Sequence, residues 1–195
     1  MNPNQYIKTG SDESYTYPNL VKIIIPYIEK FKQKIGKDNI TIWCPFDLER
    51  DIVVNGIRYY QSNYVKIFKE QGYNVIASHI LTGQDFFEYE PDEEWDVIIS
   101  NPPFKNKALF FKRALSFNKP FALVSTASWF NDGGINNVFK DYQDNFAIIV
   151  PNRRAKFFNN KGEVIGKQPS FKAIYYCYKF VDKGIYFVEL EKEVM

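Results

Sequence analysis

Short apolar runs alternate along this chain with longer segments in which apolar residues recur at helical spacing. The strand-like runs are ITIWC (40–44), YNVIASHI (73–80), WDVIIS (95–100) and PFALVST (120–126). They are short and rich in β-branched or aromatic residues, which favours buried strands. Helices are predicted between them for NYVKIFKEQG (63–72) and KALFFKRALSF (107–117). Strands that alternate with helices are typical of a parallel sheet with helices on both faces.

The two ends of the chain depart from this alternation. Residues 17–36 have apolar residues at helical spacing, and Pro26 predicts a kink or a split in that helix. After about residue 145, NFAIIVP and FKAIYYCYKF form two strand-like runs without a helix between them. The prediction is an α/β fold whose sheet is mostly parallel and is closed by an antiparallel C-terminal strand pair.

Two shorter segments complete the prediction. Residues 51–60, DIVVNGIRYY, predict a β-hairpin around Asn55 and Gly56, inserted between the first strand and its helix. Residues 85–87 are interpreted as either a marginal strand or a turn. Repeats, low-complexity tracts and linkers are absent from the sequence, so we expect one domain over residues 1–195, with an N-terminal helical segment over 1–37.

Composition narrows the class of protein. A hydrophobic share of 45% with 25% charged residues is typical of a soluble globular domain. Cys44 and Cys177 each lie in a predicted buried strand, which favours reduced core thiols in a cytoplasmic protein. His79 is the only histidine, and this excludes Cys/His metal clusters and histidine-based triads. The sequence has no apolar stretch long enough for a membrane span and no apolar leader that suggests export.

The stretch DVIISNPPF (96–104) carries the candidate chemistry. Two consecutive prolines end the ladder of a buried strand, so Asn101, the Pro102 carbonyl and the Phe104 ring follow it in a rigid loop. Ligands of doubly wound sheets bind beyond the carboxyl ends of the strands, where residues 44–47 and 85–86 are also expected. The plain alternative is an ordinary Pro-Pro turn at the end of a strand.

The sequence SNPPF resembles the signature of class I S-adenosylmethionine-dependent methyltransferases that modify amino groups in planar systems, chiefly the 6-amino group of adenine. The arrangement of IWCPFD, DFFEYEP, DVIISNPPF and KPFALV is most similar to small adenine methyltransferases of bacteriophages. The resemblance implies a Rossmann-like class I methyltransferase sheet and S-adenosylmethionine as the cofactor. It also implies methylation of adenine in nucleic acid, DNA before RNA, in the cytoplasm of a bacterial or phage-infected cell.

The same resemblance assigns roles to individual residues. The catalytic residues that it implies are Asn101, Pro102, Pro103 and Phe104. The cofactor-binding residues that it implies are Tyr17, Pro18, Cys44, Pro45, Phe46, Asp47, His79, Asp85, Phe86 and Asn101.

Three positions depart from the family pattern or leave a choice open. Residues 44–50 contain no glycine where the family usually has Gly-x-Gly, so Asp47 or the amides of this loop would have to contact the cofactor. The second strand ends in His79 where an acid is usual, and this histidine is either a ribose ligand or a structural residue. Asp85 is either a ligand of the cofactor's adenine or a turn residue.

Basic residues follow two of the loops and suggest a nucleic-acid partner. The candidates for phosphate contacts are Lys105, Lys107, Arg153, Arg154 and Lys156, with Lys112, Arg113, Lys161 and Lys167 nearby in the sequence. A solvated surface is the alternative, because the formal net charge is only +2. Without a separate target-recognition domain, we expect a short or relaxed target, a partner protein or a homodimer.

Two other functions remain open on the sequence alone. Methylation of a protein glutamine uses a similar Asn-Pro-Pro-Tyr signature. A non-catalytic nucleic-acid-binding or anti-defence protein with a degenerate methyltransferase fold would explain the loop without glycine.

Overall fold

A computed structural model describes residues 14–159, 161, 163–164 and 172–191 of the chain. The described helices, α1 to α5, are Pro18–Lys22, Ile25–Lys34, Asn63–Glu70, Lys107–Ser116 and Gly133–Phe139. The described strands, β1 to β11, are Tyr15–Thr16, Thr41–Cys44, Ile52–Val54, Ile57–Tyr59, Asn74–Ala77, Val97–Ser100, Phe121–Thr126, Phe146–Pro151, Phe157–Phe158, Ala173–Tyr178 and Gly184–Val188.

Seven of these strands form the central sheet, in the order β11-β8-β10-β7-β6-β2-β5. Strand β10 runs antiparallel to both of its neighbours, and the other pairs in this sheet are parallel. The predicted α/β class, the mostly parallel sheet and the antiparallel pairing of β8 with β10 are therefore confirmed. The structure adds that β10 lies between β7 and β8, so that β8 keeps the direction of the parallel strands.

Two apolar layers cover the faces of the sheet because alternate strand residues point to opposite sides. In β6, Val97 and Ile99 join the layer that α1, α2 and α3 cover, whereas Ile98 joins the layer under α4 and α5. The second layer consists largely of aromatic rings, such as those of Trp43 and Phe111. The buried sheet explains why its strands read as unbroken apolar runs.

Local signals in the sequence are also visible in the structure. The N-terminal helix is split, since α1 ends at Lys22 and α2 begins at Ile25 with Pro26 in its first turn. The predicted hairpin is formed by β3 and β4, with Asn55 at φ 51° and Gly56 at φ 76°, as a tight turn with two left-handed residues requires.

The structure decides one segment that the sequence left open and adds elements that were not predicted. Residues 86–88 form a turn, so the second of the two interpretations of this segment holds. Helix α5, strand β11 and the small antiparallel sheet of β1 with β9 have no counterpart in the predicted pattern. Among the described residues, no helix combines the length and the hydropathy that a membrane span requires.

Candidate functional site

The carboxyl ends of three neighbouring parallel strands meet at one edge of the sheet. Strand β2 lies between β5 and β6 and is parallel to both. The chain leaves these strands toward His79, toward residues 45–47 and toward Asn101. Because ligands of open α/β sheets bind outside the carboxyl ends of the strands, this edge is the candidate site.

Asp47 connects three of the loops at this edge. Its buried carboxylate accepts a hydrogen bond from the Ser62 hydroxyl and another from the Ser100 hydroxyl. Its backbone N–H donates to the carbonyl oxygen of Ser78, at 3.1 Å. A carboxylate that accepts from several donors tolerates burial. Asp47 therefore joins the loop after β2 to the ends of β5 and β6.

Ser62 brings the start of helix α3 to the same place. Its hydroxyl caps the helix by accepting from the Tyr64 N–H at 3.1 Å, and its own N–H donates to the Leu48 carbonyl at 3.0 Å. In the sequence, the hairpin at 51–60 therefore lies between the loop after β2 and helix α3. In the structure, that loop and the start of α3 are in contact. The positive end of the α3 dipole lies beside the Asp47 carboxylate, which is a favourable arrangement.

The glycine-free loop follows an ordinary backbone path. Among the described residues, positive φ angles occur at four glycines and at Asn55, Asn106, Asn118 and Lys179, and none lies within 44–50. The loop therefore does not need glycine for its conformation.

Asn101 follows β6 and carries an unsatisfied buried acceptor. Its Nδ2 donates to the Ser14 carbonyl at 3.3 Å, which orients the amide. Its Oδ1 is buried and has no hydrogen-bond partner among the described residues. A buried acceptor without a partner is costly unless a ligand or water satisfies it. Thr16, two residues beyond Ser14, is also buried.

Aromatic rings line the segment beside Asn101. Pro102 is buried and Pro103 and Phe104 are half-buried, with the Phe104 ring 6.2 Å from that of Phe157 in edge contact. Phe158, next in β9, packs edge-on against Tyr17 at 5.4 Å. The short sheet of β1 and β9 therefore joins the late loop to the N-terminal segment that contains Tyr17 and Pro18.

Helix α4 contacts the segment of Asp85 and Phe86 through Arg113. Asp85 Oδ1 accepts from the Phe87 N–H at 3.1 Å, as in an Asx turn. Phe86 is buried, with its ring 4.8 Å from that of the half-buried Phe46. Arg113 Nε donates to the Phe86 carbonyl at 3.3 Å, and its guanidinium lies 4.3 Å from the centre of the Phe117 ring. Arg113 therefore binds the turn that contains Asp85 and Phe86.

Besides Asp47, two titratable candidates are buried. His79 caps a short helical turn, with Nδ1 accepting from the Leu81 N–H at 3.1 Å, and burial lowers its pKa to about 4. The imidazole is therefore neutral at neutral pH. Burial also raises the pKa of the Cys44 thiol well above its usual range, and Cys177 is buried and free as well. Both cysteines are core thiols, as the sequence predicted, and Pro45 beside Cys44 is buried too.

The basic candidates fall into two groups. Arg153 and Arg154 are exposed, and Lys156 Nζ lies 5.9 Å from the centre of the Tyr17 ring. Lys105 is exposed, and Lys107 Nζ lies 5.8 Å from the Trp129 ring. Lys156 therefore lies at the N-terminal segment that contains Tyr17. Lys167 lies outside the described residues.

Sequence reasoning missed two residues of this edge. Ser62 had a recognisable signal, because a serine directly before a predicted helix is a common cap. Thr16 had none, since its burial depends on the pairing of β1 with β9. Within the described ranges, no cluster of His, Cys, Asp and Glu side chains could hold a metal ion.

Comparison with known proteins identifies the fold. One match is the structure of a Listeria monocytogenes protein that has been assigned as a class I S-adenosylmethionine-dependent methyltransferase. It covers 91% of this chain, with a TM-score of 0.55 at 16% identity. Weaker matches are a modification subunit assigned to a type I restriction enzyme of Vibrio vulnificus (12% identity, 94% of this chain, TM-score 0.46) and the methyltransferase subunit of a type I restriction-modification system of Streptococcus thermophilus (11%, 93%, 0.49).

This chain spans 66%, 48% and 49% of those three proteins, respectively. No protein-family model matches it, and the search of curated proteins gives no match. The property that this chain shares with the Listeria monocytogenes protein is the class I methyltransferase fold.

Proposed function

We propose that this protein transfers a methyl group from S-adenosylmethionine to the 6-amino group of adenine in nucleic acid, with DNA preferred over RNA as the substrate. The observation that carries the proposal is the buried Asn101 Oδ1 at the carboxyl end of β6, which has no hydrogen-bond partner within the described part of the chain. An acceptor held in this way suits an N–H group of a planar amine. The SNPPF resemblance supports the same reaction.

The residues at this edge fit the proposed cofactor. S-adenosylmethionine carries a cationic amine, and the Asp47 carboxylate supplies a buried negative charge beside the start of α3. Phe46 and Tyr17 offer half-buried rings at the two sides of this edge. When bound, the cofactor supplies an electrophilic methyl group.

The chain's own residues would make the adenine amine more reactive. The lone pair of an exocyclic amine is delocalised into the ring, so the nitrogen is planar and a weak nucleophile. By accepting an N–H hydrogen bond, Asn101 Oδ1 favours a pyramidal nitrogen with a localised lone pair. The Pro102 carbonyl is the second acceptor in this proposal. After transfer the nitrogen releases one proton to solvent, so the reaction does not depend on a histidine base.

The rigid loop would also position the base. Pro102 and Pro103 restrict the backbone on both sides of the second acceptor, which lowers the entropic cost of orientation. Phe104 would stack on an adenine that has left the helix, as enzymes that modify bases require. Arg153, Arg154 and Lys156 would contact phosphates near the N-terminal segment.

Two variants separate binding from chemistry. We expect Asn101→Ala, assayed at an S-adenosylmethionine concentration that calorimetry shows to be saturating for the variant, to lower methyl transfer to DNA about 100-fold or more. Asn137→Ala, at an exposed position of α5, is the matched control and should leave both measurements unchanged. Equal transfer by the wild type and Asn101→Ala would contradict the proposed role of Asn101.

Assays of nucleic-acid binding, cofactor binding and methyl transfer distinguish the proposed function from the two other candidate functions. A chain that binds nucleic acid but not the cofactor would be a non-catalytic protein with a methyltransferase fold. Transfer to protein glutamine but not to nucleic acid would identify the other amide-directed reaction.

A further inference from the structure

Strand β11 forms one edge of the central sheet, and its two faces are unlike. The face of Tyr186 packs on α2, with the Tyr186 ring 5.7 Å from that of Tyr27. On the same side, Asp182 Oδ1 accepts from Lys34 Nζ at 2.7 Å. The other face carries Ile185 and Phe187, which are 57% and 79% exposed. Two exposed apolar residues on the same face of an edge strand favour pairing with another chain.

The backbone at this edge is also available for pairing. Within the described residues, β11 is the last strand of the sheet and pairs with β8 alone. The Val188 carbonyl accepts from the Asn152 N–H at 2.8 Å, so it points toward β8. Because hydrogen bonding alternates along a parallel strand, Ile185 and Phe187 direct their N–H and C=O groups to the open side. Native proteins usually protect such an edge or pair it.

The sequence of the exposed face is complementary to itself. Lys183 directly precedes β11 and Glu189 directly follows it, both in phase with Ile185 and Phe187, and all four residues are exposed. In an antiparallel pair of two β11 strands with its two-fold axis at Tyr186, Ile185 lies opposite Phe187 of the second copy. Lys183 then lies opposite Glu189 of the second copy. Apolar and oppositely charged cross-strand pairs both stabilise a sheet.

Neighbouring registers lose this match. Moving the axis to Ile185 sets Lys183 against Phe187 of the second copy. Moving it to Phe187 sets Ile185 against Glu189. All three registers make hydrogen-bonded pairs of the residues whose backbone groups point outward, so the side-chain pairs decide between them.

We propose that this protein forms a two-fold symmetric homodimer in which the β11 strands of two copies pair antiparallel around Tyr186. The central sheet then continues from one copy into the other, and the exposed Phe187 ring is covered by Ile185 of the second copy. Such isologous contacts close after two copies. This inference is independent of the proposed methyl transfer, since its readout is the oligomeric state.

Sedimentation velocity of the full chain tests the proposal. We expect a concentration-dependent dimer with a dissociation constant on the order of micromolar. Lys183→Glu should raise that constant about tenfold, because two acidic groups face each other at both ends of the paired strands. Glu189→Lys should do the same with two basic groups. The double variant Lys183→Glu/Glu189→Lys should restore dimerisation, because it exchanges the charges and keeps the complementarity.

Two further variants test whether the exposed face of β11 itself forms the contact. Lys183 Nζ also lies 3.2 Å from Asp144 Oδ1 in an exposed ion pair, so Asp144→Asn removes that ion pair without changing the β11 face. It should leave the dimer intact. Phe187→Lys should abolish dimerisation with an unchanged circular dichroism spectrum. A wild-type chain that stays monomeric up to about 1 mM, or a dimer that tolerates Phe187→Lys, would overturn the proposal.

Discussion

The carboxylate of Asp47 accepts a hydrogen bond from the hydroxyl of Ser100, although the two residues are 53 positions apart in the chain. Ser100 is the last residue of β6, directly before Asn101. The contact therefore joins the loop after β2 to the loop that carries the buried Asn101 Oδ1. Ser62 donates to the other oxygen of the same carboxylate.

This arrangement predicts energetic coupling between Ser62 and Ser100. Each single change to alanine removes one donor from a buried carboxylate, and we expect each to lower the free energy of unfolding by about 1–3 kcal/mol. Ser62→Ala also removes the cap of α3, which adds about 1 kcal/mol. Urea unfolding of both single variants and the double variant gives the coupling energy, which should be about 0.5–3 kcal/mol. Strictly additive losses would show that Asp47 does not link the two loops.

The buried imidazole of His79 predicts a loss of stability at acidic pH. Burial lowers its pKa to about 4 in the folded chain, whereas the unfolded value is about 6.5. The folded state thus binds the proton less readily, so this contribution to stability is present above the unfolded pKa and falls as the pH drops toward 4. Between about pH 7 and about pH 5 the loss is about 2 kcal/mol.

His79→Asn is the variant that isolates this effect. An asparagine side chain can still accept from the Leu81 N–H, so the cap is retained without the titrating group. We expect urea unfolding of this variant to lose about 2 kcal/mol less than the wild type over the same pH range. An identical pH dependence in the two proteins would assign the acid sensitivity to other groups.

The position of Arg113 predicts a structural role. Its guanidinium bonds the Phe86 carbonyl and stacks on Phe117, so Arg113→Gln should lower the free energy of unfolding by about 1–2 kcal/mol. On the proposed function, the variant should also weaken S-adenosylmethionine binding, because Asp85 and Phe86 lie in the turn that Arg113 holds. Lys112→Gln, at the exposed neighbouring position, is the control. Unchanged stability of Arg113→Gln would contradict this role.

The exposed arginines predict the salt dependence of nucleic-acid binding, on the proposed function. Replacing Arg153 and Arg154 by alanine should weaken DNA binding and reduce the slope of log K against log salt by about 2, if each contacts one phosphate. Fluorescence anisotropy at several salt concentrations measures that slope. Lys66→Ala, at an exposed position of α3, should not change it. An unaltered slope in the double variant would show that residues other than Arg153 and Arg154 contact the phosphates.

Local and periodic signals in the sequence determined many of the secondary-structure elements of this protein. The alternation of strands and helices, the split at Pro26, the hairpin at Asn55 and Gly56 and the burial of both cysteines follow from backbone restrictions and apolar patterning, which act over a few residues. The strand end before Asn101 was predictable for the same reason, because two prolines cannot continue a ladder. The likeness of SNPPF to a methyltransferase signature also needed no coordinates.

Contacts between distant residues were decided by the tertiary structure alone. The bonds of Asp47 to Ser62 and Ser100 depend on the register of β2 against β6 and on a hairpin that returns the chain to its starting point. The turn of Arg113 toward Phe86 and the unsatisfied Oδ1 of Asn101 depend on how helix α4 and the N-terminal segment pack. Neither side-chain direction nor the satisfaction of a buried atom has a periodic pattern along the chain, since both arise only when separate elements meet.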